Sequence, residues 1–320
     1  MSDMVVVVHA GAGRLSDDLR EREPACRDAL AAALSAAARA LAEGGDAVAA
    51  VRSAVIEMES FPLFNAGYGS ALCADGSVEM SAGLMRGPDR AAGAVAAITR
   101  TRHPILGAEA LLDAEEVLMV GPHADAFAAA HGAEQWEPWQ FVTERQRRRL
   151  ELCLAARGDG RPGAAARGHG EAGSAALGDG GAGGAACGHG TVGAVCRDAA
   201  GDLAAATSTG GRMGQPPGRV GDPPVIGAGT WADGSVAVSC TGDGESFIRA
   251  GAGRLLSTLV ERGAAVAAAA GTVLEEVRLC QGTGGLIAVD ARGRVATRFT
   301  SEAMPRGVWR EGGGVVVEVV

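Results

Sequence analysis

Gly190-Thr191-Val192-Gly193-Ala194-Val195 is the stretch on which the reading of this chain turns. Before it, residues 157–190 are almost all glycine and alanine with a few polar residues. Such a segment buries too little apolar surface to offset its ordering entropy and reads as a flexible linker. Structureless loops of that length inside compact proteins are uncommon and often functional. After it, ordered patterning resumes at once. Thr191 to Cys196 reads as a strand, Asp198 to Gly201 as a turn and Leu203 to Thr209 as a second strand. A pliant leader that meets a strand at a Gly-Thr bond suits one kind of chemistry. A threonine hydroxyl is hardly ionised at neutral pH. A free α-amine on the same residue, with a pKa of about 7.7–8.0, can take its proton. Before any cut the same hydroxyl can attack the Gly190 carbonyl, and glycine tolerates the strain of that attack. A threonine that merely begins a strand is the commoner case, so the rest of the chain has to decide.

Working outward, Val5 to Val8 form a continuous apolar run, as in a buried strand, followed by His9-Ala10-Gly11-Ala12-Gly13. A helix is expected from Pro24 to Glu43, closed by Gly44-Gly45. Asp46 can cap a second helix to Met58. Ala91 to Thr99 suits a buried strand, and Thr143 with Gln146 makes a capping-box pattern for a helix through Ala156. Ser235 to Thr241 alternates as a strand, and helices follow over 245–262 and 264–280. A hairpin is expected from Gly285–Asp290 and Arg294–Phe299, with a closing strand at Val315–Val320. Helices cluster between groups of strands and do not alternate with them. That pattern points to sheets stacked inside helix layers. Three stretches result: 1–156, the linker 157–190, and 191–320, all within one structural domain.

Composition narrows the chemistry. The 320 residues are 47% hydrophobic, which marks a globular chain with a sizeable core. A net charge of -9 lacks the basic footprint of a nucleic-acid binder. No apolar run approaches a membrane span, and the start Met1-Ser2-Asp3-Met4 lacks a basic leader, so a cytoplasmic protein is expected. Seven cysteines without framework spacing agree with reduced thiols, and Cys187, His189 and Cys196 match no zinc pattern. The sequence contains no lysine, which excludes a Walker A loop and any Schiff base on a lysine of this chain. The Gly-x-Gly after Val5–Val8 is no dinucleotide fingerprint, because Ser16 stands where the third glycine belongs.

Further segments fall in a distinctive order. Ala206-Thr207-Ser208-Thr209-Gly210-Gly211 is followed by Gly218-Arg219-Val220-Gly221-Asp222, Ile226-Gly227-Ala228-Gly229 and Ser239-Cys240-Thr241-Gly242-Asp243-Gly244-Glu245. Upstream stand His9-Ala10-Gly11-Ala12-Gly13 and Phe61-Pro62-Leu63-Phe64-Asn65-Ala66-Gly67, and downstream Gly282-Thr283-Gly284-Gly285-Leu286-Ile287. Together with Thr191–Val195, this series resembles the plant-type L-asparaginase and isoaspartyl peptidase family of N-terminal nucleophile hydrolases. The resemblance covers nearly all of the chain except the linker. It implies an αββα four-layer sandwich, α+β in class, that cuts itself before Thr191 and hydrolyses L-asparagine and β-aspartyl dipeptides. It also implies a homodimer of self-cleaved heterodimers, with small molecules as substrates and no required cofactor.

The resemblance assigns roles. Thr191 would be the nucleophile and Thr209 would orient it. The Thr241 hydroxyl and Gly242 N–H would face the developing oxyanion. Arg219 would hold the substrate α-carboxylate, Asp222 its α-ammonium, and Gly244 would line that site. Gly190, Thr191 and Asn65 would take part in processing. The loop from Met58 to Tyr68 would bind a structural sodium or potassium ion, mostly through backbone carbonyls, with Met58, Glu59, Phe61, Phe64, Ala66 and Tyr68 as candidates. Arg219 and Asp222 read alone would be an ordinary surface ion pair of little energetic weight. Three positions depart from the family pattern: Gln215 where a lysine is expected, and Ser81 and Arg86 where aspartates are. Asp243 puts an acid beside the oxyanion donors and is expected to point away from them. A glycosylasparaginase-like amidase and a non-catalytic relative remain alternatives. Thr209-Gly210-Gly211, in place of Thr-Asn-Gly, favours the asparaginase and isoaspartyl branch.

Overall fold

The structure is a computed structural model that describes residues 4–158 and 190–320. The expected linker lies outside the described residues except for its ends, Arg157, Gly158 and Gly190. The first strand, β1 (Val5–His9), is buried on both faces: Val6 and Val8 enter one apolar cluster, Val5 and Val7 another. That double burial explains why its sequence shows no polar alternation. β1 lies in an eight-stranded sheet with β2 (Met80–Arg86), β3 (Ala92–Ile98), β4 (Leu118–Val120), β5 (Val192–Arg197), β6 (Leu203–Thr209), β11 (Arg306–Arg310) and β12 (Gly314–Glu318), in the order β12-β11-β1-β5-β6-β2-β3-β4. Only the β3–β4 pairing is parallel among these neighbours. Strands from before and after residues 157–190 therefore interleave, with β5 and β6 between β1 and β2.

A second sheet, ordered β10-β9-β8-β7, holds β7 (Thr230–Ala232), β8 (Val236–Gly242), β9 (Gly284–Asp290) and β10 (Val295–Phe299). It packs against the first through Val5, Val7, Met85, Val195 and Ala205 on one side and Ala237, Ile287 and Val289 on the other. On the outer face of the large sheet lie α2 (Glu23–Ala42) and α3 (Ala47–Glu59), with Leu30, Leu34, Val51 and Val55 fully buried. The other outer layer, on the small sheet, is formed by α8 (Ala252–Glu261) and α9 (Val266–Leu279), after the short α7 (Gly244–Ala250). The layers are therefore helix, sheet, sheet, helix, as expected. Smaller helices are α1 (Asp17–Glu21), α4 (Pro104–Glu109), α5 (Gly121–Ala130) and α6 (Glu144–Ala156).

Local expectations hold where capping chemistry is direct. Asp46 accepts from Ala49 N at 2.8 Å at the start of α3. Two differ. The helix expected over 245–262 is split into α7 and α8 because Gly251 adopts φ +56°, a left-handed turn that ends one helix before the next begins. The capping box at α6 is half present. Thr143 accepts from Gln146 N at 3.2 Å, but the Gln146 side chain is buried and donates instead to Gly69 O. Among the described residues, Cys26, Cys73, Cys196, Cys240 and Cys280 are free thiols.

Candidate active site

The antiparallel register of β5 and β6 pairs Val192 with Ser208, which sets Thr191 opposite Thr209 at the strand mouth. Thr191 Oγ1 donates to Thr209 Oγ1 at 3.2 Å. Thr209 Oγ1 in turn donates to Gly190 O at 3.2 Å and accepts from Gly211 N at 3.0 Å. The same Gly190 carbonyl accepts from Asn65 Nδ2 at 2.6 Å. Asn65 is locked by its own neighbours: Oδ1 accepts from Ala71 N and Nδ2 also donates to Gly211 O, each at 2.6 Å. The Gly190–Thr191 bond is packed on both sides. A Cβ on Gly190 would come 3.0 Å from Asn65 Cβ, and one on Gly11, at φ +105°, would come 3.0 Å from Gly190 Cα. Two donors on the carbonyl oxygen and a hydroxyl beside it are the parts an intramolecular acyl attack requires.

Two buried hydrogen-bond systems brace this mouth. Between the sheets, His9 Nε2 lies 3.0 Å from Ser239 Oγ, which lies 2.7 Å from Thr207 Oγ1, and Thr230 Oγ1 lies 2.7 Å from Thr207 Oγ1 and donates to Pro223 O at 2.9 Å. Burial holds the His9 pKa down to about 3, so it is a neutral ring whose Nδ1 accepts from Gly11 N at 3.3 Å. On the other face of β6, Ser208 Oγ donates to the buried Glu59 carboxylate at 2.6 Å. Burial pushes the Glu59 carboxyl up, while His103, Ser208 and the Ile105 N–H pull against that shift. Sequence motifs include His9 but say nothing of this bracing, whose partners are far apart along the chain.

Across the small sheet, Thr241 is the last residue but one of β8, fully buried, with an Oγ1 that has no hydrogen-bond partner among the described residues. Gly242 follows at φ +140°. Asp222 is buried as well, and its Oδ2 likewise has no partner among the described residues. Burial pushes the Asp222 carboxyl up to about 7, against smaller downward pulls from its own backbone N–H and from Arg219. Arg219 does not pair with Asp222 by hydrogen bond. Its Nε and Nη2 donate to the two Glu245 carboxylate oxygens at 3.0 and 2.9 Å. That two-pronged pairing holds the Glu245 carboxyl at about 2. Gly244 lies between these groups: a Cβ there would meet Asp222 Oδ1 at 2.9 Å and Arg219 Nη2 at 3.0 Å. Glu245 is a site residue that the sequence reading passed over, although it is the next residue after Gly244.

The departures are accounted for locally. Gln215 is buried; its Oε1 accepts from Arg212 N at 2.8 Å and lies 3.4 Å from Arg219 Nη1, a place where an ammonium would crowd a guanidinium. Asp243 turns its carboxylate to Thr283, with Oδ2 accepting from N at 2.7 Å and from Oγ1 at 3.1 Å. Arg86 pairs with Asp89 and Asp113, and Ser81 Oγ accepts from Ala97 N at 3.4 Å. In the loop after α3, Met58 O, Glu59 O and Phe61 O already accept backbone bonds from Phe61, Tyr68 and Phe64. The carbonyls of Pro62 and Phe64 converge on Gly69, where a Cβ would meet them at 2.4 and 2.9 Å. The Glu59 side chain points the other way, to Ser208 and to the Ile105 N–H.

A helix–sheet–sheet–helix sandwich with a threonine at the head of an inner strand is the architecture of N-terminal nucleophile hydrolases. The chain belongs to the asparaginase family, whose model matches residues 2–317. It is 41% identical over 312 residues to the isoaspartyl peptidase of Salmonella typhimurium, covering 96% of this chain and 95% of that protein. Against the isoaspartyl peptidase of Escherichia coli the identity is 39% over 333 residues, with 99% of each chain covered. The isoaspartyl peptidase/L-asparaginase of Bos taurus is 38% identical over 315 residues, covering 98% of this chain and 94% of that one.

Proposed function

We propose that this protein is a self-processing amidohydrolase that releases the side-chain amine of L-asparagine and of β-aspartyl dipeptides through an acyl-enzyme on Thr191. The observation that carries this reading is the state of the Gly190 carbonyl, held by Asn65 and Thr209 beside the Thr191 hydroxyl. Attack by Thr191 Oγ on that carbonyl breaks the Gly190–Thr191 amide. The resulting ester is hydrolysed, leaving a carboxylate on Gly190 and a free α-amine on Thr191. That amine then takes the hydroxyl proton when Thr191 attacks a substrate amide. Thr209 orients the hydroxyl in both reactions.

Substrate recognition follows from the unsatisfied groups. Thr241 Oγ1 and the Gly242 N–H supply the oxyanion donors, and a buried hydroxyl without a partner is suited to that use. Asp222 receives the α-ammonium, and Arg219 the α-carboxylate on the edge that Glu245 leaves open. This clamp refuses α-linked aspartyl dipeptides, in which that carboxylate is consumed by the peptide bond. The names of the relatives, isoaspartyl peptidase and L-asparaginase, support the same substrates.

A sodium or potassium ion held by backbone carbonyls of the Met58–Tyr68 loop belongs to this reading on the family resemblance alone. Such an ion would be structural and enters no step. No described helix is long and apolar enough to cross a membrane. A cytoplasmic location and a dimer of cleaved pairs complete the reading, on the family resemblance alone.

The test is intact mass followed by activity. Wild-type protein converts to two chains, the second starting at Thr191, and then releases amine from L-asparagine and β-linked dipeptides but not from α-linked ones. Thr191→Ala stays one chain and is inactive. A wild-type protein that is active yet never cut refutes the mechanism.

A further inference from the structure

Three arginines come to the segment that follows Thr209, and two of them are satisfied. Arg219 is held by Glu245. Arg157, just past α6, donates to Gly214 O at 2.7 Å and to Met213 O at 3.4 Å. Arg212 differs. Its backbone N–H is tied to Gln215 Oε1 at 2.8 Å, which anchors the root of the side chain. Its guanidinium has no hydrogen bond or ion pair among the described residues, and its Nε is buried without a partner.

The nearby acids do not neutralise it. Glu245 and Asp243 attract Arg212, and Arg219 and Arg157 repel it. Glu245 is committed to Arg219, and Asp243 turns one oxygen to Thr283. Arg212 remains a cation in this setting, because guanidinium does not deprotonate in proteins. Of the guanidinium nitrogens only Nε is a buried orphan, so the terminal nitrogens are left open to an anionic ligand. The place of Arg212 in the chain says which ligand. Arg212 adjoins Gly211, whose N–H supports Thr209 Oγ1 at 3.0 Å and whose carbonyl is held by Asn65. It therefore borders the supports of the nucleophile itself. Asp222 and Arg219 are already assigned to the aspartyl half of the substrate.

We propose that Arg212 binds the free carboxylate of the leaving amino acid, so that β-aspartyl dipeptides with an ionised C-terminus are favoured over C-terminally amidated ones and over L-asparagine. This rests on the amidohydrolase reading above and names the substrate class within it. A leaving ammonia carries no charge for Arg212 to meet. A leaving amino acid brings a planar carboxylate that matches the guanidinium fork.

The experiment compares kcat/KM for β-aspartyl-leucine, its C-terminal amide and L-asparagine, in wild type, Arg212→Met and Arg212→Lys, at low and high salt. Wild type is expected to favour the acid over the amide by about tenfold, as for one charge-assisted contact. High salt narrows that preference, since a half-exposed pair is screened. Arg212→Met brings the ratio close to one through a higher KM on the acid, and Arg212→Lys retains part of it. A wild-type ratio near one, or a ratio indifferent to salt and to Arg212→Met, overturns the inference while L-asparagine turnover leaves the amidohydrolase reading intact. The wild-type salt arm decides even where a variant fails to fold. Absence of turnover on all three substrates sinks both.

Discussion

Replacing Asp222 by asparagine separates what this carboxyl does for binding from what it costs the fold. Asn keeps the shape and cannot ionise. Burial raises the Asp222 carboxyl from 3.8 to about 7. A raised acid is an ionised form disfavoured by folding. The penalty is absent below the unfolded value of 3.8, grows as pH rises towards about 7 and is complete above it. At 1.36 kcal/mol per pH unit, that interval corresponds to a cost of about 4 kcal/mol at pH 8. Asp222→Asn should therefore be more stable than wild type at pH 8 by up to about 4 kcal/mol in urea melts, and no more stable at pH 3.5.

Activity should move the opposite way. The substrate ammonium needs the carboxylate and the reaction needs an unprotonated Thr191 α-amine, so wild-type kcat/KM should fall about a hundredfold per pH unit well below 7, one factor of ten from each group. The limb should be weaker in kcat, because a bound ammonium pulls the Asp222 carboxyl down. A free α-amine ordinarily titrates near 7.7–8.0, and on Thr191 it would affect both parameters, which distinguishes the two groups. The variant should lose only the Asp222 factor, so that its kcat/KM falls about tenfold per pH unit at low pH, along with most of its activity. A variant limb as steep as the wild-type limb, or equal stabilities at pH 8, would each refute the assignment.

Two further outcomes are expected. Arg219→Lys gives up the fork shared with Glu245 and should reduce kcat/KM on β-aspartyl dipeptides by tenfold or more, while conversion to two chains, followed by mass, proceeds because no carboxylate takes part in it. Gly244→Ala places a methyl group 2.9 Å from Asp222 Oδ1 and 3.0 Å from Arg219 Nη2, so KM should rise with little change in kcat or in self-cleavage; steady-state kinetics showing an unchanged KM would place the α-carboxylate and ammonium elsewhere.

Local chemistry was legible in the sequence because it depends on neighbours a few residues away. Leu203–Thr209 as a strand, Asp46 as a helix cap and Gly190-Thr191 as a bond between an unpatterned leader and a strand all follow from spacing and residue type. Where a local rule failed, a tertiary partner or a backbone conformation displaced it. Gln146 left its capping role for Gly69 O, and Gly251 divided a helix that periodicity alone continues. The ordered motif series marked Thr191, Thr209, Arg219, Asp222 and Thr241 as site candidates, without showing which groups they meet.

Those meetings are decided by the tertiary structure. Asn65 reaches the Gly190 carbonyl across 125 positions of sequence, and His9 reaches Ser239 across 230. Neither pairing has a local periodicity to reveal it. The commitment of Glu245 to Arg219, the orphaned oxygens of Asp222 and Thr241, and the unpaired Arg212 exist only once the two sheets are stacked. Burial is what raises Asp222 and leaves these groups without water to satisfy them. Composition and order of residues thus determined the layers, the strand that carries the threonine and the kind of reaction; the exclusion of water between packed layers decided which polar groups remain open to a substrate.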